Sequence, residues 1–464
     1  MTVLESSQYS IDKKGKQLFR FLIQGELGRA LIKSMTGRYA LYIVQMLSLM
    51  ILARVFTPEL FGIFAVIQVF ATFFILFSEM GFGPALINQE EIPNEMRDGI
   101  FSVTALMGLS IAVIFLLLSP LISEFYEDKI YETLVIPVAV SVLFNTLSIV
   151  PLAILQREQK FILIAGGDIA AEIMSVLVVF ILLTLVPPIF ALSSKPLTIS
   201  IIRSFSLWYL SGTSLIGKPL FGRHFYHIKK LLSFSTFQLG FNVMNYFSRS
   251  LDNILVGKYL GVSSLGVYDK AYQLMRYPLM LLTFAMTPAI QPVLTKIKND
   301  KNEFERLHNQ LVNYLAIAGL VAGVSIYFLA EFIVLILLGE QWGEVSNILK
   351  LLSVTIPIQM MLSSSGGFFQ AAGRADLLFY CGVFSSIVNV IAIILGIYFG
   401  SLESLCLALI ISFSINFIQC YVVLSIYILP HGLIGLIKKV WWSLIINIIF
   451  VSLAIMEFFN VTKI

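Results

Sequence analysis

The chain has 464 residues, of which 58% are hydrophobic and only 12% charged, and its formal net charge is +4. Soluble domains run at about 45–50% apolar and about 25% charged residues. Soluble enzymes, nucleic-acid binders and secreted disulfide scaffolds are therefore excluded together, because too little polar surface exists to solvate a particle of this size. Long unbroken apolar runs also exclude a transmembrane β-barrel, whose strands alternate polar and apolar residues. An all-α integral membrane protein remains.

Residues 1–32 are polar and basic, with Lys13, Lys14, Lys16, Arg20 and Arg29 interrupting any apolar core. They are expected to lie in the cytoplasm or along the membrane surface, and they do not read as a signal peptide. Thirteen apolar runs follow that are long enough to cross about 30 Å of hydrocarbon. They fall near 34–55, 59–80, 99–119, 131–152, 162–186, 197–216, 231–256, 263–288, 308–330, 345–369, 376–398, 403–428 and 438–459. With the N-terminus in the cytoplasm, 21 Lys and Arg residues flank the cytoplasmic side and six the other, with four inside spans. That asymmetry follows the positive-inside rule. No connection exceeds about twenty residues and no GxxxxGK[ST] run occurs, so nucleotide handling has no place.

Displacing the chain by 204 residues pairs ARVFTPELFGIFAV (53–66) with GKYLGVSSLGVYDK (257–270), bringing Gly62 onto Gly266 and Phe64 onto Tyr268. The same displacement brings Pro84 onto Pro288. Six spans per copy imply two parallel lobes related by a pseudo-two-fold axis along the membrane normal. The expected division is 33–216 for the first lobe, 217–230 for a basic cytoplasmic linker, 231–428 for the second lobe and 429–464 for an accessory span.

Charge inside a bilayer is costly and marks function by default. The seventh span carries Gln238, Asn242, Asn245, Arg249 and Asp252 on one helical face, and the first span matches it with Ser34, Arg38, Gln45 and Ser48. Lys270 and Arg276 on the eighth span and Arg203 on the sixth add cations. Guanidinium groups suit a diphosphate, since they bind phosphate oxygens in pairs. Their alternative role is pairing within the bundle, Arg249 with Asp252 and Asp269 with Arg276. Glu79, Asp168 and Glu172 form an acidic group suited to coupling a proton or sodium ion, or else an ion pair with Arg38. Tyr42, Tyr246 and Tyr272 are placed to stack on sugar rings. Pro84 and Pro288 are hinge candidates or ordinary span ends. Cys381, Cys406 and Cys420 read as small buried hydrophobes, and His224 with His227 as loop residues, so neither a metal site nor any catalytic residue is expected.

The segments GRYALYIVQMLSLMILARVFTPELFGIFAV, MGFGPALI and SRSLDNILVGKYLGVSSLGVYDKAYQLMRYPL carry a further signal. They resemble the polysaccharide-transport flippases, the Wzx and WzxC-like branch of the multidrug/oligosaccharidyl-lipid/polysaccharide exporter superfamily. That resemblance runs through nearly all twelve core spans. It implies a two-lobed, cofactor-free carrier in the bacterial inner membrane that moves an undecaprenyl-diphosphate-linked oligosaccharide between leaflets by alternating access, with ion coupling. It also implies a cationic central cavity at Arg38, Arg249, Lys270 and Arg276, contact with membrane lipids, and partnership with the polysaccharide polymerase machinery. The chain departs from many relatives in having one additional span where they have two, and in the charged pair Asp269 and Lys270. Two other readings compete. A drug antiporter of the same superfamily would favour an apolar cavity with a few acids, and a membrane-embedded glycosyltransferase or polymerase would need a sizeable extramembrane loop.

Overall fold

The computed structural model describes residues 26–79, 82–87, 89–224, 246, 248–282, 294, 300–430, 441–442, 445–452 and 456, with side chains from 35 onward. All regular structure among the described residues is helical. The first half contains α1 (Glu26–Val55), α2 (Pro58–Glu79), α3 (Phe82–Ile87), α4 (Asn94–Tyr126), α5 (Ile130–Leu147), α6 (Ile149–Arg157), α7 (Phe161–Leu183) and α8 (Pro188–Ser211). The second contains α9 (248–259), α10 (Val262–Leu282), α11 (Lys301–Leu337), a short 3-10 turn (Glu340–Trp342), α12 (Gly343–Ser353), α13 (Ile356–Ala371), α14 (Ala375–Tyr398) and α15 (Leu402–Tyr427).

Proline and capping residues set several of these boundaries. A proline cannot donate to the carbonyl four residues earlier, and its ring crowds that carbonyl. Four residues before Pro151 is Leu147, where α5 stops, and four before Pro357 is Ser353, where α12 stops. The tenth expected span, read as one run at 345–369, is therefore two helices meeting at 56°. Pro188 opens α8 at a position where a missing N–H costs nothing. For this reason the sixth span starts earlier than the expected 197. Asp300 caps α11 by accepting from the Glu303 amide at 3.1 Å, and Ser401 caps α15 through the Ser404 amide at 3.1 Å.

Eight described helices are long and apolar enough to cross a membrane, or nine with the bent pair counted as one span. Most of the expected seventh span lies outside the described residues. Only parts of the thirteenth are described, so the expected total of thirteen is not established. The spans expose large apolar side chains, among them Leu117, Phe328, Phe332 and Tyr398, as lipid-facing surfaces do.

Chain packing forms two compact units. The first comprises 1–48, 74–118 and 134–239, and the second comprises 49–73, 119–133 and 240–464. In the first unit, α3 and α6 pack against the start of α4 through Phe82, Leu86, Ile100, Phe101, Val150 and Ile154. Phe74 stacks on Phe115 with ring centroids 4.4 Å apart. In the second, Phe304, Val312 and Ala316 of α11, Phe368 and Phe369 of α13, and Tyr421 and Leu424 of α15 build a shared core. Segments 49–73 and 119–133, assigned by sequence to the first lobe, pack with the second half of the chain.

Candidate functional site

The first unit holds its charges as an ion-pair ladder between α7 and α8. Asp168 and Glu172 sit one turn apart on α7, so both carboxylates face the neighbouring helix. Arg203 donates from Nε to Asp168 Oδ1 at 2.7 Å. Lys195 Nζ lies 2.7 Å from Glu172 Oε1, a charge contact outside hydrogen-bond alignment. Glu172 is buried, and Glu79 at the end of α2 is exposed. Asp168 and Glu172 thus meet Arg203 and Lys195, not Arg38. On α1, Arg38 and Gln45 are exposed, whereas Ser48 is buried with its hydroxyl unpartnered.

The second unit gathers the remaining charges on α9 and α10. Asp252 is buried and accepts from the Tyr268 hydroxyl at 2.7 Å, and its other short bond comes from the Asn253 amide at 2.8 Å. Lys270 is buried and donates to Asp269 at 2.7 Å and to Gln273 at 3.3 Å, with its ammonium 4.6 Å from the Phe61 ring centroid. Neither internal pairing that the sequence offered as the alternative forms: Asp252 accepts from the Tyr268 phenol rather than pairing with Arg249, and Asp269 pairs with Lys270 rather than Arg276. Arg249 and Arg276 are exposed, and neither has an ion pair among the described residues. Tyr246 donates to the Val69 carbonyl. Gln238, Asn242, Asn245, Pro288 and His227 lie outside the described residues. Pro84 is exposed on the short α3.

Sequence reasoning missed one polar cluster. Asn389 on α14 accepts from Ser412 and from Asn416 Nδ2, the latter at 3.1 Å, and the buried Asn416 Oδ1 has no partner. A signal existed in Ser412 and Asn416, one turn apart in the middle of a long apolar span. The three cysteines are free and buried, as expected. No group of three or more His, Cys, Asp or Glu able to hold a metal occurs among the described residues.

A bundle of long apolar helices with charged side chains among them defines a multi-pass membrane protein. Its fold is similar to that of "Lipid II flippase MurJ, inward closed conformation", with a TM-score of 0.71 at 17% identity over 93% of this chain and 98% of that one. It is also similar to a multidrug resistance MATE family transporter in its inward-facing conformation, with a TM-score of 0.61 at 13% identity over 88% and 95% of the two chains. Residues 51–347 match the model of the polysaccharide biosynthesis protein family, and the chain belongs to that family. Among curated relatives, the teichuronic acid biosynthesis protein TuaB of Bacillus subtilis (strain 168) is 23% identical over 65% of this chain and 62% of its own length. The lipopolysaccharide biosynthesis protein WzxC of Escherichia coli (strain K12) is 22% identical over 84% and 79%. For the succinoglycan biosynthesis transport protein ExoT of Rhizobium meliloti (strain 1021) the values are 23%, 80% and 74%.

Proposed function

We propose that this protein carries undecaprenyl-diphosphate-linked oligosaccharide repeat units from the cytoplasmic to the periplasmic leaflet of a bacterial inner membrane by alternating access. The observation that carries this reading is the exposed pair Arg249 on α9 and Arg276 on α10, without ion-pair partners among the described residues. Two guanidinium groups offer paired donors for a diphosphate. A drug antiporter would not need them. Support also comes from family membership and from relatives named for lipopolysaccharide biosynthesis and succinoglycan transport.

The physical demand matches. The sugar head cannot cross hydrocarbon unaided, whereas the polyprenyl tail can remain in lipid, so the carrier must present a wet cationic path to the head alone. Arg38, Gln45, Asn242 and Asn245 complete the proposed path. Arg203, Asp252 and Lys270 leave the first rank of direct contacts, because Asp168, Tyr268 and Asp269 already engage them. In this reading Glu79 and the Asp168–Arg203 and Glu172–Lys195 pairs carry the coupling proton or sodium ion. The two lobes divide at the basic linker 217–230, the N-terminus is cytoplasmic, and the role is transport rather than catalysis, exercised beside the polysaccharide polymerase machinery.

Complementation of a strain lacking its polysaccharide flippase tests this, with lipid-linked repeat units scored in each leaflet. The wild-type chain is expected to move units outward, and Arg249→Ala and Arg276→Ala to lose most of that transfer. Units that stay inward with the wild type refute the function, and normal transfer by both variants refutes the site.

A further inference from the structure

The 204-residue displacement that relates the two halves of the sequence also organises contacts within the second compact unit. Gly62 near the start of α2 and Gly266 near the start of α10 are equivalent under it, and so are Pro58 and Val262. A methyl group added at Gly62 would overlap the Val262 carbonyl and stand 3.2 Å from the Gly266 amide nitrogen. One added at Gly266 would overlap the Pro58 carbonyl and stand 3.1 Å from the Gly62 nitrogen. The two helix starts meet backbone to backbone, each against the other's first turn, and only glycine permits that separation.

Arg54 and Lys258 are a second pair related by 204 residues. Arg54, closing α1, donates from Nη2 to the Ile336 carbonyl near the end of α11 at 2.8 Å. Lys258, closing α9, donates to Glu127 just after α4 at 2.6 Å. Each turn returns a bond to the helix that reaches it. Gln341 donates to the carbonyls of Ala53 at 2.6 Å and Phe56 at 3.2 Å, and Trp342 donates to Ala53 at 2.7 Å. Tyr126 donates to the Ile254 carbonyl at 3.1 Å. The last four carbonyls of a helix have no partner within it. The second half of the chain thus caps the first helix of the first half, and the first half holds the corresponding helix of the second.

We propose that these reciprocal contacts form a two-fold clasp that shuts the transport path on the membrane side where α1 ends, and that they part when the path opens to that side. The chemistry suits a contact made and broken repeatedly. Its bonds fall on the carbonyls of Ala53, Phe56 and Ile336 at helix ends, on the Ile254 carbonyl within α9 and on the exposed Glu127 carboxylate, and water can satisfy the helix-end and carboxylate oxygens once the clasp parts. At its centre lie two glycines, which separate without withdrawing interdigitated side chains. The proposal rests on the transport reading for the existence of a path and on the cytoplasmic N-terminus for calling this side periplasmic.

The test is cysteine accessibility, which needs no substrate. Val256, fully buried on α9 beside Gly257, is replaced by cysteine in a chain whose three native cysteines are changed to alanine. Labelling by a membrane-impermeant maleimide is timed in intact cells and in inverted vesicles. Slow labelling is expected for the parent. Gly62→Ala is expected to accelerate it by about 5–150-fold, the range that forcing a methyl into a packed contact produces. Lys258→Glu should accelerate it by a few-fold, and the exchange Lys258→Glu with Glu127→Lys should restore protection, which a misfolded chain could not do. Unchanged labelling in Gly62→Ala and Lys258→Glu, or an exchange that fails to restore protection, overturns the clasp. Acceleration confined to inverted vesicles supports the clasp and overturns the cytoplasmic placement of the N-terminus. Because labelling is independent of lipid-linked sugars, failed complementation would refute the function and leave this result standing.

Discussion

Replacing Lys195 by methionine strands the Glu172 carboxylate between α7 and α8, and the cost follows from how little water reaches it. Removing one partner of a buried ion pair typically costs about 3–5 kcal/mol. Glu172 is buried, with a side-chain exposure of 5%, and Lys195 is half-buried at 20%. Lys195→Met should therefore destabilise the protein by about 3 kcal/mol, the lower end of that range. Adding Glu172→Leu removes the stranded charge, and the double variant should return to within about 1 kcal/mol of wild type. Equilibrium unfolding in mixed micelles, referenced to wild type, measures both quantities. A cost below about 1 kcal/mol for the single variant, or a double variant as unstable as the single one, would refute this reasoning.

Two further outcomes are expected. Trp342 is fully buried, packs edge-on to Phe61 with centroids 5.4 Å apart and donates to Ala53. Trp342→Ala should cost about 3–5 kcal/mol in the same unfolding assay, and Trp342→Phe no more than about half of that, since the ring is kept and one hydrogen bond lost. In the loop between α6 and α7, burial pushes the Glu158 carboxyl up, but the Lys160 ammonium, the Ser214 hydroxyl and the Leu215 amide together hold it below the usual carboxylate range. A depressed carboxyl stabilises the fold above its ordinary range and loses that effect as pH falls through its folded value. Hydrogen exchange at the Leu215 amide, bonded to Glu158 at 2.9 Å, should stay slow at neutral pH and speed up in acid beyond its intrinsic change. Glu158→Ala should abolish that dependence, and protection that survives acid would contradict the assignment.

Legibility of this protein in its sequence differed by level. Span positions were readable because crossing hydrocarbon demands a local property, an apolar run of sufficient length. The ends set by Pro151 and Pro357 follow from a similarly local rule, the lost bond to the residue four back, although apolarity alone ran both spans straight through them. Glycines at 62 and 266 registered in the sequence only as repeat markers. Their backbone contact depends on the separation of two helices, which no local pattern encodes.

The candidate site shows the same division more sharply. Which charges fall inside apolar runs was evident from the sequence, and of these Arg249 and Arg276 are exposed. Which charge meets which was not. Spacing allowed Arg249 to reach Asp252 within one helix, yet Asp252 binds Tyr268 sixteen residues away, and Asp168 binds Arg203 thirty-five residues away. The sequence by itself determined the class, the family and the set of polar groups that interrupt the apolar runs. Tertiary structure alone decided which of those groups neutralise one another and which stay free, because a buried charge takes the partner that helix packing brings within 3 Å, and packing is a property of the whole bundle.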